Sequence, residues 1–182
     1  MLFPNFPILK TPRLVLRDLR PSDDLALFEV FKDEEVTRYY DTDVFTDITQ
    51  AQELITFLNT RYEKGTGIRW AITRQGEDQL IGTIGFNSWN KASQVGVIGY
   101  ELAKPYWNQG IISEALQAML DFGFSTDTVN RVEALVMPGN IASVRVLRKY
   151  NFQLEGLLRE KGYWKGAFHD LEMYALLKRE YK

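Results

Sequence analysis

Trp107-Asn108-Gln109-Gly110-Ile111-Ile112-Ser113 runs a loop glycine into the start of an amphipathic stretch, and that order of residue types is what an anion site needs. A helix leaves its first amides without intrahelical partners and carries partial positive charge at that end. A glycine just ahead of it lets the backbone approach a bound group closely, so main-chain N–H groups alone could hold a diphosphate. Read alone, one glycine before a helix is more commonly a plain strand-to-helix turn. A second opening follows at Asn140-Ile141-Ala142-Ser143. Asn140 is a competent N-cap, and Ser143, one turn on, can face its hydroxyl to the same side. By itself this too is only a well-capped helix, closed by Asn151, which tolerates the left-handed conformation common past a helix end.

The titratable residues leave few routes to chemistry. Glu101 shares a strand face with Val95, Val97 and Gly99, where a carboxylate is out of place; a proton acceptor and a buried ion pair explain it equally well. His169 and Asp170 are neighbours in a strand, so they point to opposite faces and read as structural. The absence of cysteine excludes a thiol nucleophile and thiolate metal sites, and a single histidine makes a histidine zinc site implausible. Trp70, Trp89, Trp107 and Trp164 could line a pocket, although core or edge packing is the commoner fate. Gly65-Thr66-Gly67 precedes a strand and lacks the third glycine and the helix of a dinucleotide fingerprint.

A chain of 182 residues with 45% hydrophobic and 25% charged residues fits one domain, spanning 1–182, with a core that needs no staples. Net charge of -2 without a basic cluster argues against phosphate-driven nucleic-acid binding and allows a cationic partner. No apolar run is long enough for a membrane span, and the first residues lack the regions of a secretory signal, so a cytoplasmic location is expected.

The elements that must position these residues alternate in type. Leu14, Leu16 and Leu19 mark a strand. Ser22 offers an N-cap, with Asp23 and Asp24 in a first turn and Leu25, Phe28 and Phe31 at helical spacing. The pattern predicts a second helix from Thr49, with Gln52 completing a capping box, up to the breakers Gly65 and Gly67. Three antiparallel strands follow at Ile68 to Thr73, Leu80 to Asn87 and Val95 to Ala103. Then come a helix striped by Ile112, Ala115, Leu116, Met119 and Phe122, a strand from Val132 to Met137 and a helix from Asn140 to Tyr150. Strands Gln153 to Tyr163 and Asp170 to Leu177 flank a Lys165-Gly166 turn. The expected fold class is α+β, a mixed sheet with helices packed on it.

In this order, Arg13-Leu14-Val15-Leu16-Arg17, Asp33 to Tyr39, Ile81-Gly82-Thr83-Ile84-Gly85-Phe86, the two helix openings, Leu154 to Glu160 and His169-Asp170-Leu171 resemble the GCN5-related N-acetyltransferase (GNAT) superfamily, and within it the Rim-type branch of ribosomal-protein N-terminal acetyltransferases. The resemblance implies a mostly antiparallel sheet of about seven strands, helices on both faces, and a V-shaped cleft between the fourth and fifth strands. It implies acetyl-coenzyme A as co-substrate, without a metal, and direct transfer to a primary amine without an acyl-enzyme. Asn108, Gln109, Gly110, Ile111, Ile112 and Ser113 would wrap the diphosphate, Leu102 and Ala103 would pair with the pantetheine arm, and Asn140 and Ser143 would face the thioester end. The family loop has Gln or Arg where Trp107 stands and a small residue where Ile112 stands.

The same resemblance assigns roles to side chains. The backbone amide near Leu102 would steady the oxyanion, and Glu101 would be a candidate base. A glutamate found in some relatives aligns with Gly162, leaving Glu160, two residues earlier, as a weaker candidate. Leu147 occupies the place of the usual acidic tyrosine, so Ser143 is the substitute proton donor. An α-amino group near pKa 7.8 is roughly a tenth neutral at pH 7, whereas a lysine amine is neutral only a few times in ten thousand. A site without a strong base therefore suits a peptide or ribosomal-protein N-terminus. A polyamine, aminoglycoside or amino acid acceptor, and a regulator that binds coenzyme A without turnover, stay open, as does a homodimer.

Overall fold

Ile68, Trp70 and Ile72 alternate with Arg69, Ala71 and Thr73 along β3 (Ile68–Arg74), and all six are buried. A strand buried on both faces needs cover on both faces, and the computed structural model, which describes residue 3 and residues 5–181, provides it. Trp70 and Ile72 join a core with Ala115, Leu116 and Met119 of α4 (Ile111–Ser125). Ala71 joins a second core with Leu27, Val30 and Phe31 of α1 (Asp24–Phe31) and Ala51 and Ile55 of α3 (Ile48–Lys64).

The sheet has eight strands in the order β1-β2-β3-β4-β5-β6-β8-β7. They are β1 (Leu9–Lys10), β2 (Leu14–Arg17), β3, β4 (Gly82–Asn90), β5 (Val95–Leu102), β6 (Arg131–Val136), β7 (Gln153–Trp164) and β8 (Ala167–Leu177). The strand beyond the expected seven is the two-residue β1, which pairs with Leu16 and Val15. The expected cleft thus falls between β5 and β6. All pairings are antiparallel except β5 with β6. Two further helices, α2 (Glu34–Thr37) and α5 (Ile141–Lys149), flank the cleft.

The helix starts differ from the sequence reading for physical reasons. Ser22 does not cap α1. Pro21–Asp23 forms a single 3-10 turn, because the buried Asp23 carboxylate turns inward to accept both Arg17 terminal nitrogens at 2.8 Å. The helix then begins at Asp24 in a phase that buries Leu27, Val30 and Phe31 and leaves Leu25 59% exposed. α3 begins at Ile48, not Thr49. Asp47 accepts from Thr49 N at 2.8 Å, and Gln50, rather than Gln52, completes the box by accepting from Asp47 N at 3.0 Å. Gly65, at φ 72°, ends the helix.

Two features of the ladder shape the cleft. The β5–β6 pairing stops at Ile98↔Ala134, while β5 stays bonded to β4 as far as Leu102↔Gly82 and β6 follows β8 as far as Val136↔Glu172. Each strand keeps one neighbour and loses the other, so the sheet opens. Beside the last shared pair, β4 carries a bulge: Phe86 pairs with Ile98 and Ser88 with Val97, leaving Asn87 unmatched. A bulge adds local twist and re-aims side chains. Here it lets Phe86 and Trp89 both face the α4 core, with ring centroids 4.5 Å apart.

Candidate active site

The mouth of the sheet holds a cavity of about 210 Å³. Its walls are Val97–Tyr100 of β5 and Ala134–Met137 around the end of β6, with Asn87 from the β4 bulge, Asn140 and Ser143 from α5, Tyr39, Tyr40 and Asp41 after α2, and Trp164 and Leu171 from the β7–β8 hairpin. The hairpin tip is tied down across the opening, since Lys165 Nζ donates to Thr37 O at 2.7 Å.

The two faces of the sheet make this opening two-sided. Tyr100 packs with the α4 core, and α5 joins the same core through Leu147. Asn140 and Ser143 therefore lie on the α4 side, and Asn140 Oδ1 caps α5 by accepting from Ser143 N at 3.2 Å. Burial pushes the Tyr100 phenol up to about 12, against a smaller opposing effect of its hydrogen bond with Ser143. Tyr40 and Asn87 enter from the side of α1–α3, as do Arg69, Thr83 and Glu101.

Glu101 is not a free carboxylate at the cavity wall. It is buried and paired with the equally buried Arg69 guanidinium, accepts from Thr83 Oγ1, and accepts from Tyr40 Oη at 2.8 Å. Burial alone would lower the Arg69 pKa; the adjoining carboxylate outweighs it and raises the group. Burial, reinforced by Glu101, also raises Tyr40, so neither is a proton acceptor at neutral pH. Of the two readings of Glu101, the ion pair is the one the surroundings support. Glu160 is exposed, with φ 51°, and its N–H donates to Asp170 Oδ1 at 2.8 Å. A register break between Leu158 and Gly162 removes the face relation with Gly162 that had suggested it. It does not line the cavity.

The diphosphate candidates lie together on the α4 side. Asn108 and Gly110 have φ 59° and 74°, a tight loop that delivers the chain into α4 with Gly110 as N-cap and no side-chain cap. A Cβ at Gly110 would have only Arg13 Nη2, at 3.6 Å, within 4 Å. Asn108, Gln109 and Gly110 are exposed, while Ile111 is buried and Ile112 and Ser113 are partly covered. Ile112 packs against the core, so the large residue at that place is anchored away from the loop's open side. Arg13 Nη1 donates to Gln109 O at 3.0 Å and Nε to Glu114 at 2.6 Å, bracing the loop.

The strand edge that leads to this loop has lost its β6 neighbour. Ala103 N donates to Ile81 O. By the alternation of an antiparallel ladder, Leu102 and Tyr100 present their N–H groups to the other edge, which β6 has left. Leu102 O is taken by Trp107 Nε1 at 2.7 Å. Trp107 thus fastens the loop to the strand, Trp70 and Trp89 are core, and only Trp164 of the four reaches the cavity. His169 stacks on Trp164 at 4.4 Å, a structural contact.

Sequence reasoning had not singled out Tyr40, Asp41, Asn87, Tyr100 or Arg69. All but Asp41 and Tyr40 lie within strands, where alternation separates the two faces but does not say which residues meet across them. Among the described residues, no group of three His, Cys, Asp or Glu could hold a metal ion, and no helix is long and apolar enough to cross a membrane.

Comparison with known proteins places this geometry. A family model described as an acetyltransferase (GNAT) domain matches residues 13–153. An uncharacterized N-acetyltransferase p20 of Bacillus licheniformis is 40% identical over 173 residues, 95% of this chain and 97% of its own. Among solved structures, an acetyl transferase of Salmonella typhimurium that modifies the N-terminal serine of ribosomal protein L7/L12 has TM-score 0.85 at 25% identity, covering 94% of this chain and 99% of its own. A RimL L7/L12 alpha-N-protein acetyltransferase in complex with coenzyme A has TM-score 0.83 at 25% identity, covering 94% and 98%.

Proposed function

Because the chain belongs to the GNAT acetyltransferase family, and so is an N-acetyltransferase, we propose that it transfers the acetyl group of acetyl-coenzyme A to a peptide or protein N-terminal α-amino group, of the kind found on ribosomal proteins. The observation that carries this reading is the two-sided opening between β5 and β6. On one side stands a glycine-led helix terminus with no side-chain cap; beside it, a cavity reaches through to the α1–α3 side with no buried carboxylate among its lining residues.

The residues fit the co-substrate. The first amides of α4 and the open space at Gly110 suit a diphosphate. The Leu102 N–H, facing the vacated edge, is placed to hold charge developing on an acyl oxygen, and prior organisation of such a donor is what makes it effective. Bound there, acetyl-coenzyme A supplies an activated acyl carbon. The Tyr100 and Ser143 hydroxyls, on the same side, can donate hydrogen bonds to a departing thiolate.

On the acceptor side the chain does little acid–base chemistry. Glu101 is spent on Arg69, and Asp41 stands exposed where the cavity meets solvent. The acceptor should therefore arrive as the neutral amine, aligned by the cavity wall, with its surplus proton leaving to solvent past Asp41. Proximity supplies much of the acceleration. An α-amino group meets that requirement at neutral pH far better than a lysine side chain.

The test is release of free coenzyme A thiol from acetyl-coenzyme A across Ser- and Ala-starting peptides, an internal-lysine peptide and spermidine. The N-terminal peptides should dominate, with kcat/KM rising through the substrate amine's own pKa, about 7.7–8.0. Efficient turnover of spermidine alone would overturn the acceptor class.

A further inference from the structure

Resting on that reading of the cavity as the acceptor site, we propose that Asn87 is a specificity-determining residue whose side-chain N–H selects acceptors bearing a carbonyl oxygen beside the amine, and that Arg69 is the positioning residue that aims it.

The direction of the Asn87 amide follows from donor chemistry. Arg69 Nη1 donates to Asn87 Oδ1 at 2.8 Å. A guanidinium has five N–H donors and no acceptor, so only the amide oxygen can face it. The nitrogen end is thereby turned away from Arg69. It lies over Gly99, where a Cβ would come within 2.6 Å of Nδ2, and both Asn87 and Gly99 line the cavity. A glycine at that place is what leaves the amide its room. Among the described residues Nδ2 has no hydrogen-bond partner, and it is not sealed from solvent.

Arg69 has no freedom to turn. Nε donates to Thr83 Oγ1 at 2.6 Å, Nη1 to Gly99 O at 2.9 Å as well as to Asn87, and Nη2 to Tyr40 Oη at 3.1 Å and to Glu101. All five donors are matched in a side chain 4% exposed. The bulge explains why Asn87 reaches this place at all: as the unmatched residue between Phe86 and Ser88, it is displaced toward the α1–α3 side, where the acceptor enters.

On the α1–α3 side the cavity wall therefore offers the Asn87 amide as a donor held in one orientation, with the Asp41 carboxylate at the rim. An α-aminoacyl group brings the complement, a carbonyl acceptor next to a cationic or neutral amine. A polyamine brings donors only and leaves Nδ2 unpaired, and sites built around a polar contact discriminate strongly against partners that lack it.

The experiment compares kcat/KM of the full chain for an Ala-starting peptide and for propylamine, at equal concentrations of neutral amine, in wild type, Asn87→Asp, Asn87→Leu and Arg69→Lys. Asn87→Asp is nearly isosteric and gives Arg69 a carboxylate, so folding should survive; thermal melting checks it. The Asn87 variants should lose on the order of tenfold to a hundredfold on the peptide, mainly in KM, and less than about threefold on propylamine. Arg69→Lys should lower the peptide-to-propylamine ratio in the same direction. If it fails to fold, the Asn87 variants carry the test. Parallel losses on both acceptors, or equal peptide turnover by wild type and the Asn87 variants, overturn the assignment while leaving the acetyl-transfer reading intact. A wild type inert toward both acceptors removes the acceptor reading and this assignment together.

Discussion

Gly110 heads a fifteen-residue helix at φ 74°, with no side chain capping the amides behind it. Gly110→Asp should put a carboxylate against the diphosphate and abolish measurable acetyl-coenzyme A binding by calorimetry, with the fold kept, since Asp tolerates the left-handed region better than most residues. Unchanged affinity would mean that the pocket lies elsewhere. Glu101→Gln should act differently: it strands a buried guanidinium and costs about 3–5 kcal/mol of stability by denaturant unfolding, more than it changes the pH dependence of turnover. A carboxylate acting as base would instead erase a limb of the pH profile. Asn140 and Ser143 were legible because capping chemistry is local. Glu101 was legible only as an anomaly. Its partners Arg69, Thr83 and Tyr40 come from three other segments, up to 61 residues away, and no spacing rule connects them.

At the scale of elements, the β7–β8 hairpin is held across the cavity by a side chain, Lys165, whose Nζ donates to the Thr37 carbonyl. Lys165→Ala should raise KM for the acceptor about fivefold, the worth of one net hydrogen bond, and leave acetyl-coenzyme A affinity unchanged. Equal changes in both would place the hairpin in donor binding instead. Leu147 lies wholly buried on the inner side of α5, so Leu147→Ala should cost about 2–5 kcal/mol and loosen the helix that presents Ser143. Periodicity located every long helix and strand. It misplaced the starts of α1 and α3, because a buried Arg17–Asp23 pair and an Asp47 cap outrank the serine and threonine that looked suitable. It could not show the β4 bulge, since the count of residues between Phe86 and Trp89 acquires meaning only when both rings pack on α4.

Across the whole molecule, titration should limit stability at both ends of the pH scale. Hydrogen bonds from Arg17 to Asp78 and from Arg131 to Glu155 hold those carboxyls below their usual range. Burial would raise Glu114, but bonds from Thr11 and Arg13 outweigh it and lower the group. Folded values below unfolded ones give stability that is present above about pH 4.3 and lost as pH falls through the lowered values. Burial raises Tyr100 to about 12 and raises Tyr40 further. Their contribution is present below about pH 10 and lost as pH climbs toward 12. Melting temperature should thus be flat from about pH 5 to 9 and fall on either side, with Tyr100→Phe blunting the alkaline fall; an unaltered alkaline limb would assign it to other phenols. The parting of β5 from β6 also has a kinetic corollary. On the proposed assignment, donor and acceptor would enter from opposite sides of the sheet, so neither would have to leave before the other arrives and no covalent way-station would be required. Double-reciprocal rate plots at several fixed acceptor concentrations should converge to a point, the signature of a sequential reaction, rather than run parallel.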